Sequence, residues 1–270
     1  MNSQKSEFLG TAFRAAMLAG DFIARNTGTL SQDDIAAKQA SDFVTRIDRE
    51  SEQVIIKTIK CEFPQHRFLA EESPKEMQSG EYLWIIDPLD GTTNFIHSFP
   101  FFSVSIALQH KGDIILGVVF DPVRNELFTA EKDKGCFLNG KPVQVSVARD
   151  MANSLVSTGF PFRKRELIDA YLLLFKNIFS RVSDIRRAGS AALDLAYVAC
   201  GRSEGFFEIG LSPWDIAAGS LLIQEAGGII SDFNGGKDYL SSGNIIAAPP
   251  AIHGELLNEV KGIFKGIIDK

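Results

Sequence analysis

The sequence predicts a mixed α/β (α+β) protein, and three observations carry that prediction. Apolar residues recur at helical spacing in the first sixty or so residues; strand-like runs separated by turn residues follow one another up to about 147; and beyond Asp150 strands and helices alternate. The first two patterns read as an N-terminal half, 1–150, of helices plus an antiparallel sheet. The third reads as a C-terminal α/β half, 151–270. At 270 residues the chain is long enough to bury a large core unaided.

Taken in order, Phe8, Leu9, Ala12, Phe13, Ala16, Met17 and Ile23 fall on one face of a first helix. A polar loop over roughly 27–43 separates it from a second helix, 46–60, which turns Ile47, Val54, Ile55 and Ile59 inward and stops before Pro64. Arg67-Phe68-Leu69 and the run 82–86 read as strands, the second broken into a turn by Asp87-Pro88-Leu89-Asp90-Gly91. Strands are expected at 102–109, 114–120 and 126–131, then a hairpin over 137–147 around Asn139-Gly140. The second half reads as strand 155–158, helix 166–179, strand 184–187, helix 191–200, strand 205–208 and helix 214–225. Gly227-Gly228 stops that helix, and strand 229–232, a glycine-rich loop, strand 244–248 and a helix over 255–268 close the chain.

A net charge of −6 argues against binding nucleic acid through general electrostatics, so an anionic substrate would need neutralising by bound cations. Cys61, Cys136 and Cys200 lie far apart with no C-x-x-C pair, which fits a reducing cytoplasm. Arg14 interrupts the N-terminal apolar stretch, so it does not read as a signal peptide, and no run approaches the ~18 apolar residues of a membrane span. His66, His97, His110 and His253 lack metal-ligand spacing. Gly135 to Lys141 spells most of a P-loop, but Pro142 replaces the required Ser or Thr. Arg163-Lys164-Arg165 and Arg186-Arg187 are basic clusters that suit an anion or a protein surface, or simply solvent.

The sharpest chemical feature is Asp87-Pro88-Leu89-Asp90-Gly91-Thr92 at the end of an apolar strand. Pro88 fixes a torsion that lets Asp87, the Leu89 carbonyl and Asp90 converge, an oxygen cluster suited to Mg²⁺; the same residues also make an ordinary turn. If a helical turn starts there, the Gly91 and Thr92 amides face whatever anion sits on the metal. Glu71-Glu72 follows another strand and is either a ligand pair or solvated surface. Ser212-Pro213-Trp214-Asp215 reads as a capping box, a role that leaves one Asp215 oxygen available to a metal.

Four segments occur in the order characteristic of the lithium-sensitive, magnesium-dependent inositol monophosphatases, which the sequence resembles along nearly its whole length, most of all the bacterial housekeeping members. They are Asp42-Phe43-Val44-Thr45-Arg46-Ile47-Asp48, Glu71-Glu72-Ser73, Trp84 to Asn94, and Trp214-Asp215-Ile216-Ala217-Ala218-Gly219 with Glu225-Ala226-Gly227-Gly228. The resemblance implies a five-layer αβαβα sandwich and two to three Mg²⁺ ions. Glu71, Asp87 and the Leu89 carbonyl would hold the first ion, Asp87, Asp90 and Asp215 the second, with a weaker third near Glu71. Asp48 and Thr92 match the pair that, with Glu71, orients the attacking water. Gly189, Ser190, Ala191 and Glu208 match polyol contacts, and Lys38 a lysine near the phosphate, although a solvated loop lysine is its plain alternative. Ala70 departs from the glycine usual before the Glu-Glu pair.

The activity so implied is hydrolysis of a small polyol phosphate, myo-inositol 1-phosphate foremost. Fructose 1,6-bisphosphate, 3′-phosphoadenosine 5′-phosphate and histidinol phosphate are sister alternatives sharing the catalytic core. The resemblance also implies a homodimer. Since some bacterial members associate with the transcription machinery, it leaves open a regulatory protein-binding role with secondary catalysis.

Overall fold

The structure, a computed structural model, describes residues 2–39, 42–73 and 80–268, with the backbone alone at 2–6, 32, 37–39 and 42. The first half contains α1 (Asn2–Arg25), β1 (Ile35–Gln39), β2 (Asp42–Thr45), α2 (Arg46–Glu62), β3 (Arg67–Ala70), β4 (Tyr82–Asp90), α3 (Thr92–Ile96), β5 (Ser103–His110), β6 (Asp113–Asp121), β7 (Glu126–Glu131), β8 (Cys136–Leu138) and β9 (Lys141–Val143). The second contains β10 (Leu155–Thr158), α4 (Ile168–Phe179), β11 (Asp184–Arg186), α5 (Ala191–Ala199), β12 (Gly205–Glu208), α6 (Pro213–Glu225), β13 (Ile229–Ser231), α7 (Tyr239–Ser242), β14 (Ile245–Ala248) and α8 (Pro250–Phe264).

Strands β3 to β9 form a seven-stranded sheet in sequence order, antiparallel except for the parallel β3–β4 edge. A second, five-stranded sheet has the order β11-β10-β12-β14-β13. Both sheets are covered on both faces, which is why their strands are nearly continuous in apolar residues and why successive side chains enter different cores. Trp84, Ile86, Val104, Ile106 and Val118 pack beneath α1 and α2, whereas Ile85, Ala107 and Val119 meet α5 and α6. In the second sheet Phe206, Ile245 and Ala247 face α5 and α6 from the other side, while Phe207, Ile246 and Ala248 face α4 and α8. The layers are therefore helices, sheet, helices, sheet, helices: the five-layer αβαβα sandwich.

Several boundaries differ from the sequence reading for identifiable reasons. The expected loop before residue 43 contains the antiparallel ribbon β1–β2, whose register pairs Ala36 with Val44. In α1 the buried stripe is alanine-rich, Ala12, Ala15, Ala16 and Ala19 lying fully inside, and Phe13 is exposed instead of buried. Helix α8 starts at Pro250, where a proline at the first turn gives up no helical hydrogen bond, and ends at Phe264. Helix α7 occupies part of the glycine-rich loop. The Asn139-Gly140 turn forms with both residues at positive φ, but β9 ends at Val143, short of the expected 147, and Gly135 lies in the preceding β7–β8 connection, so the two P-loop-like glycines sit in separate turns.

The most consequential difference is in β4. The strand does not stop at Ile86 but continues to Asp90 through a bulge: Asp87 pairs with Ser105 and Asp90 with Ser103, two residues of β4 facing one of β5. Residues three apart in a regular strand point to opposite faces. The extra residue cancels that alternation and brings Asp87 and Asp90 to the same side.

Candidate active site

The ends of β3, β4 and β12 and the N-termini of α3, α5 and α6 converge on one cleft of about 240 Å³, with the N-terminus of α2 behind Thr92. Its walls include Glu71, Asp87, Leu89, Asp90, Gly91, Thr92, Gly189, Ala191, Glu208 and Asp215. Asp87, Asp90 and Asp215 each offer a carboxylate oxygen within 4.8 Å of the others. Glu71 is half-buried on the same cleft. The side chain of Lys38 lies outside the described residues.

Each acid is held by a specific local device. Asp87 accepts the Leu89 amide at 3.0 Å within the bulge. One oxygen of Asp90 accepts both the Ser190 hydroxyl at 2.6 Å and the Ala192 amide at 2.7 Å, so the first turn of α5 steadies it with oriented donors and a favourable dipole. Ser190 caps α5 and is buried behind the cleft that Gly189 and Ala191 line, with its hydroxyl engaged by Asp90. Asp215 completes the expected capping box at the start of α6, taking the Ser212 amide on Oδ2 at 2.7 Å, and still joins the acidic cluster. Gly91 stands at φ 97 ahead of α3, where a Cβ would lie 3.0 Å from the Phe101 carbonyl.

Asp48 is fully buried at the third position of α2. Its Oδ2 accepts the Thr45 amide at 2.8 Å and the Thr45 hydroxyl at 2.6 Å, a second capping box, while Oδ1 accepts the Thr92 hydroxyl at 2.8 Å. With its proton directed at Asp48, the Thr92 oxygen is left as an acceptor for a water in the cleft.

The electrostatics match a cation site. Burial pushes the Asp48 carboxyl up to about 6 and that of Asp90 to about 7, the charge of Asp215 adding to the latter. Burial likewise lifts Asp215 to about 6, against the pull of Arg163, and raises Asp87 well above the usual range, with Glu71 and Asp90 contributing repulsion. Carboxylates and a backbone carbonyl form a hard, all-oxygen donor set, the kind Mg²⁺ prefers over softer metals. The residues present therefore fit a divalent cation.

Similarity to known proteins narrows the reading further. A sequence model of the inositol monophosphatase family matches residues 4–263. The chain belongs to that family. The Nus factor SuhB of Escherichia coli strain K12 is 50% identical over 245 residues, covering 90% of this chain and 92% of the relative. Among solved structures, the extragenic suppressor protein suhB of Bartonella henselae aligns with a TM-score of 0.92 at 41% identity, covering 97% of this chain and 100% of that one. An inositol monophosphatase from Anabaena aligns at 0.86 and 39% identity, covering 97% and 98%.

The two basic clusters, for which an anion, a protein surface and solvent were all open readings, divide between the cleft and the surface. Arg163 reaches Asp215 Oδ2 at 3.4 Å, and Arg187 lines the cleft beside the buried acids Asp194 and Glu208. Arg165 and Arg186 lie exposed on the surface, the latter paired with Asp184. Asp194 and Gly159 are site residues that the sequence reading missed. Burial raises Asp194 well above the ordinary carboxylate range, and Glu208 too, each adding to the other's shift. A Cβ on Gly159 would lie 2.0 Å from the Glu208 carboxylate, so the glycine makes the room that the acid occupies. No spacing rule marks either residue; Gly159 follows the expected strand 155–158, and an isolated glycine after a strand is the only signal. Ala70 pairs with Ile86 in regular β3 and is not at positive φ, so its methyl costs the backbone nothing.

Proposed function

We propose that the protein hydrolyses the phosphate monoester of a small polyol, most of all myo-inositol 1-phosphate, with Mg²⁺ held by Glu71, Asp87, the Leu89 carbonyl, Asp90 and Asp215. The observation that carries the reading is the convergence of three buried aspartates within 4.8 Å beside a Thr92 whose hydroxyl is engaged by Asp48. When bound, the cations lower the pKa of water, neutralise the phosphoryl oxygens and stabilise the leaving alkoxide. Thr92, polarised by Asp48, and Glu71 orient the attacking water in line with the phosphorus. Gly91 and Thr92 amides face the phosphate. Gly189, Ala191 and Glu208 receive the polyol, Ser190 acts through Asp90, and Lys38 completes the phosphate end. Acids from both halves, 1–150 and 151–270, are needed, so neither half hydrolyses the ester alone.

Phosphate release from inositol 1-phosphate, fructose 1,6-bisphosphate and 3′-phosphoadenosine 5′-phosphate, with Mg²⁺ and with chelator, tests this reading. Mg²⁺-dependent release fastest on inositol 1-phosphate is expected. A faster rate on another ester moves the specificity, and no release from any of them overturns the reading. Millimolar lithium is expected to inhibit; rates unchanged in lithium would separate this chain from the lithium-sensitive branch.

A second reading, a protein-binding role in transcription, is supported by the name Nus factor carried by relatives 50% identical to this chain. A variant Asp90→Asn that loses phosphate release yet still co-purifies with the transcription machinery would separate the two roles. Family resemblance also supports a homodimer, measurable by light scattering, and three free cysteines support a cytoplasmic setting. Among the described residues no helix is long and apolar enough to cross a membrane.

A further inference from the structure

Three consecutive polar contacts leave the buried face of α2, and each ends on a different segment of the cleft. Asp48 takes the Thr92 hydroxyl. Ser51, fully buried, donates its hydroxyl to the Pro88 carbonyl at 3.0 Å, inside the β4 bulge and one residue before Leu89. Glu52, also buried, accepts the Glu72 amide at 2.8 Å and the Ser73 hydroxyl. Positions 48, 51 and 52 share one helical face, so a single rigid rod holds three points at once: the residues after β3, the β4 bulge and the start of α3.

The Glu52 contact is the most specific of these. Glu71 leaves β3 with its own amide bonded to the Ile86 carbonyl at 3.2 Å, which fixes the backbone on the sheet side. The next amide, that of Glu72, is bonded to Glu52, which fixes it on the helix side. Between those two anchors the Glu71 side chain is directed at the cleft, where its charge acts on Asp48, Asp87, Asp90 and Asp215. A buried carboxylate that accepts backbone and hydroxyl donors while its neighbours ligate is the usual form of an outer-sphere support, and removal of such partners costs about 10–100-fold in metal affinity.

We propose that Glu52, with Ser51 beside it, is a positioning residue that sets the cation affinity of the Glu71 side of the site. The inference rests on the metal-dependent reading above. Its test is Mg²⁺ titration of the full-length protein, followed both by thermal shift and by phosphate release from inositol 1-phosphate. Glu52→Ala should raise the half-saturating Mg²⁺ concentration about tenfold or more in both measurements, while kcat at saturating Mg²⁺ stays within about threefold of the parent. Glu52→Gln keeps an acceptor for the Glu72 amide and should recover most of the affinity. Ser73→Ala removes one of these donors and should give an intermediate rise; should Glu52→Ala not fold, the Gln and Ser73 variants carry the test. Lys57→Ala, on the exposed face of the same helix, should leave the titration unchanged.

A purely structural role would lower the melting temperature in chelator with Mg²⁺ curves superimposed on the parent's, and that result overturns the proposal. Half-saturation within twofold of the parent in both Glu52→Gln and Ser73→Ala, when Glu52→Ala does not fold, overturns it as well. Absence of any Mg²⁺ response in the parent protein would instead sink the metal-dependent reading itself.

Discussion

Replacing Asp90 by Asn should stabilise the metal-free protein while abolishing its Mg²⁺-dependent phosphate release. Both hydrogen bonds to Asp90 arrive on one oxygen, from the Ser190 hydroxyl and the Ala192 amide, and an Asn carbonyl can accept both at nearly constant volume. What the substitution removes is a charge that the fold penalises: burial and the neighbouring Asp215 lift the carboxyl from 3.8 to about 7. Below about pH 4 folded and unfolded chains both hold the proton and the penalty vanishes. As pH rises from 4 to 7 the unfolded chain releases its proton first, so the folded state loses stability, reaching about 4 kcal/mol above pH 7. Since Asp87 and Asp215 share the same cluster and relax when one charge goes, about 2 kcal/mol is the gain to expect, roughly 5 °C for a chain of this size. The assay is thermal denaturation in chelator at pH 8 and at pH 4.5, repeated with Mg²⁺ at pH 8. Asn should melt higher at pH 8 without metal, keep only about a quarter of that advantage at pH 4.5, and melt lower once Mg²⁺ binds the parent preferentially. A metal-free Asn variant that melts below the parent at pH 8, or one that retains Mg²⁺-dependent release, would refute the reasoning.

Gly159→Ala should cost about 1–3 kcal/mol in stability and sharply reduce turnover, because the added methyl overlaps the buried Glu208 carboxylate and displaces it from its place on the cleft; denaturant melts and phosphate release read both effects. Arg163→Ala should lower the Mg²⁺ concentration needed for half-saturation, by removing the cation bonded to Asp215, while raising KM for an anionic substrate in the same cleft. A titration in which both quantities move together would contradict this. His253 is bonded to Ser231 at 2.9 Å, and burial holds its pKa below 6.5. The unfolded chain therefore takes up the proton first, and stability is lost as pH falls below about 6.5; His253→Gln should flatten that part of the stability–pH curve.

Much of the fold and the acidic cluster was legible in the sequence because each depends on local patterns. The apolar runs of β4, β5 and β6, the Asn139-Gly140 turn and the Pro213 helix start all state their conformation within a few residues. Asp87, Asp90, Asp215 and Glu71 stood out as carboxylates at strand and helix ends, with turn, cap or solvent as open alternatives, and it was the resemblance to a known family that joined them into one site. The bulge in β4 was not legible: whether Pro88-Leu89 ends a strand or swells it is decided by Ser103 and Ser105 of the neighbouring strand. The roles of Arg163, Arg187, Asp194 and Gly159 depend equally on which elements of the second half fold against the first, information that no spacing within one segment contains.

Asp215 illustrates how two competing readings of one residue can both hold. Its sequence context fits a helix cap at least as well as a metal ligand, and treating those as alternatives assumes that the carboxylate is used up by either role. In the structure Oδ2 takes the Ser212 amide of the cap while the residue still presents an oxygen to Asp87 and Asp90. Asp48 does the same at α2, giving one oxygen to Thr45 and the other to Thr92. The cap has a consequence for the chemistry in both cases: a carboxylate pinned through one oxygen loses its rotational freedom before any ligand arrives, so less entropy remains to be lost when the second oxygen is engaged. A capping box that opens onto a cleft thus favours a functional role for its acid, because the cap supplies the preorganisation that the function needs.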